Sequence, residues 1–375
     1  MTFRSKLSPM WNNLQGVLFP KLENHIGPLS NRYKHLISLL ELVRVEEFVQ
    51  GGFYMGRRRT GRHAMARAFI AKQVLKLTYT KQIVEALNSD PQLKVICGWN
   101  KIDRIPSESK FSRAFREFAL SNLPERVHEA LISQMYQDQI LGHISHDSTS
   151  IYGREKALKK QGSYKERKKF ANNRYLREKQ GQLSLRQKQL NSKNLSEMIV
   201  DLPTACDIGA KKTAQGYMTP WKGFKLHAAI DDHGIPITTI LTSASLNDCE
   251  VAIPMLNKTS RLVTNFYDLM DAAYDVTEVK EYSYKLGHVP LVDKHSRSRG
   301  QKAEKEIAKK IGKKLNFQTA EERRYRERFS KERTFALLKE YFGASTVQYK
   351  GHLKVNCQIG FGVLAMTASM FLGLF

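Results

Sequence analysis

Cysteine is scarce in this 375-residue chain, and Cys97, Cys206, Cys249 and Cys357 stand far apart, with no C-x2-C pair and no histidine cluster. That excludes a disulfide framework and the usual zinc spacings, and it fits a reducing cytoplasm. Acidic residues are also in short supply: 36 Asp and Glu face 61 Lys and Arg, a formal net charge of +25. A field of that sign draws polyanions, with nucleic acid the first expectation and a membrane surface the second. The first residues lack the continuous apolar core and small-residue cleavage site of a secretory signal. Long uncharged runs are missing except from Val355 to Phe375, a stretch nearly long enough to span a bilayer. Asn356, Gln358, Thr367 and Ser369 interrupt it, and Gly360, Gly362 and Gly373 weaken it. A buried core helix is therefore expected there, with no membrane partner.

What is present supports a globular chain of two or three domains, with 41% apolar residues. Residues 1–60 read as an N-terminal arm and linker, ending in the Gly- and Arg-rich GGFYMGRRRTGR. Residues 61–139 read as an all-α DNA-binding domain. Ile70, Val74 and Leu77 step along one face, and a short helix over Lys81 to Leu87 follows a break, which suggests a helix-turn-helix-like pair. Pro106 and Ser107 signal another helix start, with Phe111, Phe115 and Phe118 on one face and Lys110, Arg113 and Arg116 on the other. That basic face is either a DNA-backbone contact or a solvated surface. A further helix runs from about Pro124 to Gln139.

From residue 140 the period changes to two, and residues 140–375 read as an α/β domain, a mixed sheet flanked by helices. GHISHDSTSIYG predicts a strand carrying Asp147. The Lys/Arg-rich insertion over about 154–200 has too few aliphatic residues to build a core, and its charge suits DNA phosphates or a solvated linker. WKGFKLHAAID and IPITTILTSAS predict a hairpin about the turn DHG. Trp221, Lys225 and His227 on its first strand are either core residues or part of a DNA groove. A helix capped by Asn247 or Asp248 follows, then a buried strand ending at Asp271, a helix, the short strand HVPLVD and a long charged helix.

In that last helix Tyr325, Arg328, Glu332 and Lys339 have the spacing Y-x2-R-x3-E-x6-K, which returns all four to one helical stripe flanked by Phe329, Phe335, Ala336 and Phe342. A carboxylate so placed invites a metal or a phosphate. Asp147 and Asp271 on strands and Glu332 on a helix are three carboxylates from separate elements, the oxygen donors that Mg²⁺ prefers, and two such ions suit phosphoryl transfer.

The order and surroundings of these residues resemble the DDE transposases of bacterial insertion sequences, in the group with the Y-x2-R-x3-E-x6-K signature. Asp147, Ser148 and Thr149 match the D-S-T-like motif of the first strand, DAAYD over Asp271 to Asp275 matches the second motif, and Glu332 is the signature glutamate. The resemblance implies an RNase H-like fold in which Asp147, Asp271 and Glu332 are catalytic and hold Mg²⁺, with Mn²⁺ as a substitute. It implies cleavage at element ends and transfer of the 3′-hydroxyl strand into target DNA, with Tyr325, Arg328 and Lys339 gripping phosphates. The implied partners are double-stranded DNA, as terminal inverted repeats and target, and further copies in a homodimer or larger synaptic complex in the bacterial nucleoid. Asp275 is the rival of Asp271, with an N-cap role as its structural explanation. A nuclease without strand transfer and a non-catalytic DNA-binding relic are the alternative functions.

Overall fold

The computed structural model describes residues 3–49, 61–158, 181, 183–192, 194–212, 215–293, 306–307, 310, 314, 320–325, 330–345 and 347–374. The Gly/Arg joint at 51–60, residues 159–180 of the basic insertion, most of the basic stretch at 294–314, Arg328 and Phe329 lie outside the described residues. The chain divides into two compact units. One comprises Met1–Gln139, Ile151–Arg154 and Thr334–Phe375, the other Ile140–Ser150 and Glu155–Arg333.

The first unit is helical. Helix Asn31–Val43 opens with the Ser30 hydroxyl accepting from the Tyr33 N–H, and it buries Leu36, Ile37, Leu39 and Leu40. The stretch expected as an arm thus helps to form the core. Helix Arg62–Val74 and helix Thr80–Ser89 form the anticipated pair. Helix Glu108–Leu120 buries Phe111, Phe115 and Phe118 and leaves Lys110, Arg113 and Arg116 exposed.

The uncharged C-terminal run becomes helix His352–Phe371, the central element of this unit. Phe361 stacks on Phe69, with 5.8 Å between ring centroids, and also meets Phe115 and Phe118. Gly362 is a packing site, since a Cβ there would lie 2.3 Å from the Phe342 carbonyl oxygen. Its polar residues are satisfied inside the unit: the Thr367 hydroxyl bonds His128 at 3.2 Å, and the Ser369 hydroxyl bonds His35 at 3.0 Å. No described helix is long and apolar enough to cross a membrane.

The second unit is a six-stranded mixed sheet with helices, a mixed α/β architecture. Its strands are β1 (Ile140–Tyr152), β2 (Asp207–Lys212), β3 (Met218–Asp231), β4 (Pro236–Ser243), β5 (Thr264–Met270) and β6 (Val289–Val292). The order is β2-β3-β1-β5-β6, with β4 also on β3. β3 is long enough to pair antiparallel with β2 along Met218 to Gly223 and with β4 along Phe224 to Ile230. The expected hairpin is β3 and β4, whereas the polar DIGAKK strand β2 carries no apolar alternation and is absent from the pattern reading. β1, β5 and β6 run parallel. Helix Cys249–Ser260 and helix Thr277–Lys285 bury Ile253, Leu256, Val279 and Tyr282 in one cluster with Met270 of β5.

Candidate active site at the strand ends

Parallel pairing sets the site. β1 and β5 keep one register from Ile140↔Thr264 to Ser145↔Leu269, and continuing it by two residues brings Asp147 level with Asp271. Parallel strands in register show side chains of paired positions on the same face. Asp271 follows the last residue of β5, and its carboxylate accepts from the Ala273 N–H at 2.9 Å to start a 3₁₀ turn. The carboxyl ends of parallel strands in open α/β sheets are where ligands bind.

A third aspartate joins this end. Asn247 or Asp248 was expected to cap helix Cys249–Ser260; Asp248 holds the N-cap position but makes no side-chain cap bond. Its Oδ1 accepts instead from the Ser148 hydroxyl at 3.0 Å and from Lys225 Nζ at 3.1 Å, and Lys225 also donates to the Leu246 carbonyl at 2.7 Å. The Lys225 ammonium, expected at DNA, is therefore committed to Asp248. Trp221 is a core residue whose Nε1–H donates to the Phe224 carbonyl. His227, also buried, bonds the Thr242 hydroxyl, and burial pushes its imidazole down to about 4 against the partial opposition of Asp248. Tyr274, of the DAAYD segment, reports the convergence of the acids. Its buried phenol is held well above the ordinary tyrosine range, first by burial and then by the charges of Asp248, Asp147 and Asp271.

The signature helix reaches this end through a residue the sequence reading passed over. Lys331, 2% exposed, places Nζ 2.6 Å from Asp147 Oδ2. Successive side chains on a helix diverge by about 100°, so turning Lys331 onto Asp147 leaves its neighbour Glu332 exposed. Glu332 was expected among apolar neighbours, and the structure does not gather it with Asp147 and Asp271. Tyr325 ends helix Ala320–Tyr325, with Arg324 over the Tyr267 ring at 4.8 Å, and Lys339 lies on helix Ser330–Tyr341 in the helical unit. Arg113 is on the exposed face of its helix, its Nε–H donating to the Ser109 carbonyl. The N-cap position of the following helix is Val276, and Asp275 pairs with Lys280 at 2.5 Å.

Alternation along a strand assigns His146 to the face opposite Asp147, and a separate network forms on its side. Asp268, 1% exposed, accepts from the Ser283 hydroxyl at 2.6 Å and the Asn265 amide at 3.0 Å, and it meets His288 at 3.0 Å and His146 at 3.3 Å. Burial works to raise this carboxyl, but the bonds from His146 and His288 outweigh it and hold the group well below the usual carboxylate range. Asp268 was missed because strand patterning reads TNFYDLM as apolar; a charged residue within such a run was the available signal.

Among the described residues, no three His, Cys, Asp or Glu side chains converge closely enough to enclose a metal ion. The strand ends nevertheless fit a divalent cation in part. Asp147 and Asp271 offer only hard oxygen donors, and the carboxylate of Asp147 already meets one cation in the Lys331 ammonium.

Two family models match the chain: Transposase DDE domain over residues 200–368 and Transposase domain (DUF772) over residues 20–117. The first contains Asp271 and Glu332 and begins after Asp147. Neither the curated proteins nor the solved structures contain a match. With transposase domains matched on both sides of the basic insertion, the chain belongs to the DDE transposases of insertion sequences.

Proposed function

We propose that this protein cleaves DNA at the ends of its insertion sequence and joins the freed 3′-hydroxyl to target DNA, with Asp147, Asp271 and Glu332 as the catalytic carboxylates. The reading rests above all on the parallel register of β1 and β5, which, continued by two residues, sets Asp147 within β1 level with Asp271 just past the end of β5. The signature helix is docked there by Lys331. In the first step water attacks phosphorus and the P–O3′ bond breaks, leaving a 3′-hydroxyl and a 5′-phosphate. In the second, that hydroxyl attacks a target phosphodiester, loses its proton and displaces a target 3′-hydroxyl.

Bound Mg²⁺ or Mn²⁺ would supply Lewis-acid activation and charge neutralisation at the phosphoryl oxygens. The chain's own contribution is positioning. Asp147 and Asp271 present oxygen donors from rigid strands, and Glu332 would add a third. Lys225 and Ser148 fix Asp248 beside them, and Tyr274 closes the cluster from the buried side. Tyr325, Arg328 and Lys339 of the Y-x2-R-x3-E-x6-K signature would hold phosphates of the element end, and exposed Arg113 would meet the backbone from the helical unit, which is the DNA-binding module in this reading. Joining two ends calls for a dimer or larger synaptic complex on the bacterial nucleoid.

The experiment is strand transfer of a labelled element end into a second DNA, with Asp147→Asn, Asp271→Asn and Glu332→Gln proteins. Each is expected to lose cleavage and joining while keeping the fold. Cleavage without joining by the unaltered protein would make it a nuclease. Undiminished cleavage in all three variants would remove the catalytic assignment.

A further inference from the structure

The helical unit contains a buried lysine for which no anionic partner stands among the described residues. Lys72, on helix Arg62–Val74, is 2% exposed, and among the described residues its ammonium has no hydrogen-bond or ion-pair partner. A charge so placed is costly unless an anion meets it. Burial pushes Lys72 down to about 8, which still leaves it mostly protonated at neutral pH.

Lys72 lines a small polar cavity of about 120 Å³. Three lysines, Lys72, Lys76 and Lys339, share its wall with a single carboxylate, Glu340, and with Gln73 and Ser345. That space holds several waters, enough for a tetrahedral oxyanion. The wall is also fixed in place. Lys76 adopts a left-handed backbone at φ 55°, and its ammonium stands 3.7 Å from the centroid of the Tyr341 ring. Opposite, Gly343 has φ +76°, and a Cβ there would lie 2.7 Å from Gln73 Oε1, so glycine permits the close approach. Left-handed residues that persist at a site mark a geometry the surroundings impose.

We propose that this cavity binds a phosphate group, with Lys72 as the buried charge and Lys76 and Lys339 at its wall. The cavity lies within the helical unit and shares Lys339 with the phosphate grip proposed above, so its supply of phosphate by DNA rests on that reading. Lysine meets phosphate as a point charge with rotatable donors, which suits either a DNA backbone phosphate or a free phosphate.

The test is thermal melting in inorganic phosphate against chloride at matched ionic strength. Phosphate is expected to raise the Tm of the unaltered protein saturably, and Lys72→Met is expected to remove the response. Ser345→Trp, at an exposed lining position, is expected to obstruct the cavity and so to do the same, and it carries the test if Lys72→Met does not fold. The source follows from DNA binding as a function of salt. Loss of about one from the salt slope in either variant that folds assigns a DNA phosphate, and an unchanged slope with a lost phosphate response assigns a free one. No phosphate response in the unaltered protein, or a full response in Ser345→Trp, overturns the proposal. Repeating the melts on Asp271→Asn protein separates this outcome from any failure of the catalytic reading.

Discussion

Asp268 inside β5 and Asp271 just past its end receive opposite treatment from the fold. Asp268 is enclosed by Ser283, Asn265, His146 and His288, from the two strands, a helix and the approach to β6. Asp271 holds a turn N–H at the strand end, beside Asp147 and the buried Tyr274. The difference teaches that a buried carboxylate surrounded by donors is structural, because its charge is already matched. Carboxylates set around one buried tyrosine without such a shell of donors depend on cations, and here lysines serve two of them: Lys331 for Asp147 and Lys225 for Asp248.

The contrast breaks if the two aspartates respond alike. Asp271→Asn is expected to reduce strand transfer by at least about 10³-fold, as removal of a core catalytic group does, with an unchanged melting temperature. Asp268→Ala should instead lose about 3–5 kcal/mol of stability in denaturant titration, since it strands several buried donors. Equal stability losses in the two would erase the distinction.

His227 sharpens it on the side of Asp248. Its folded pKa of about 4 lies below the ordinary 6.5, so between these values the unfolded chain binds more protons than the folded one. Stability from this residue is full above 6.5 and falls as pH drops towards 4, by about 3 kcal/mol at most. Chemical denaturation across that window should show a slope that His227→Gln flattens. The smallest effect is expected at Lys331. Lys331→Gln removes the ammonium from Asp147 and should tighten Mn²⁺ binding about tenfold, a change of about 1.4 kcal/mol, read by titration calorimetry without DNA. Weaker Mn²⁺ binding in that variant would show that Lys331 organises Asp147 for the ion rather than competing with it.

Much of the sheet was legible because period-two alternation survives wherever one face is buried, as in β1, β3, β4 and β5. β2 was not legible, because a polar edge segment becomes a strand only when β3 offers it a partner. The N-terminal helices were obscured by basic residues among the apolar ones, although Leu36, Ile37, Leu39 and Leu40 recur densely enough to build a core. Within the site, Asp147 and Asp271 were legible from their places on predicted strands. Asp248 was noticed only as a cap, since its bonds to Ser148 and Lys225 join residues distant in sequence.

By itself the sequence determined the polyanion-seeking charge, the two strand aspartates, the apolar stripe of Phe111, Phe115 and Phe118, and the burial of the uncharged C-terminal helix. These depend on composition and local periodicity, which the chain carries everywhere. Only the tertiary structure decided that Lys331 rather than Glu332 faces Asp147, that Asp268 is a structural anion, and that Lys72 is buried with no partner among the described residues. Those outcomes depend on helix rotation and on which distant side chains arrive at the same place, quantities fixed by packing the elements together.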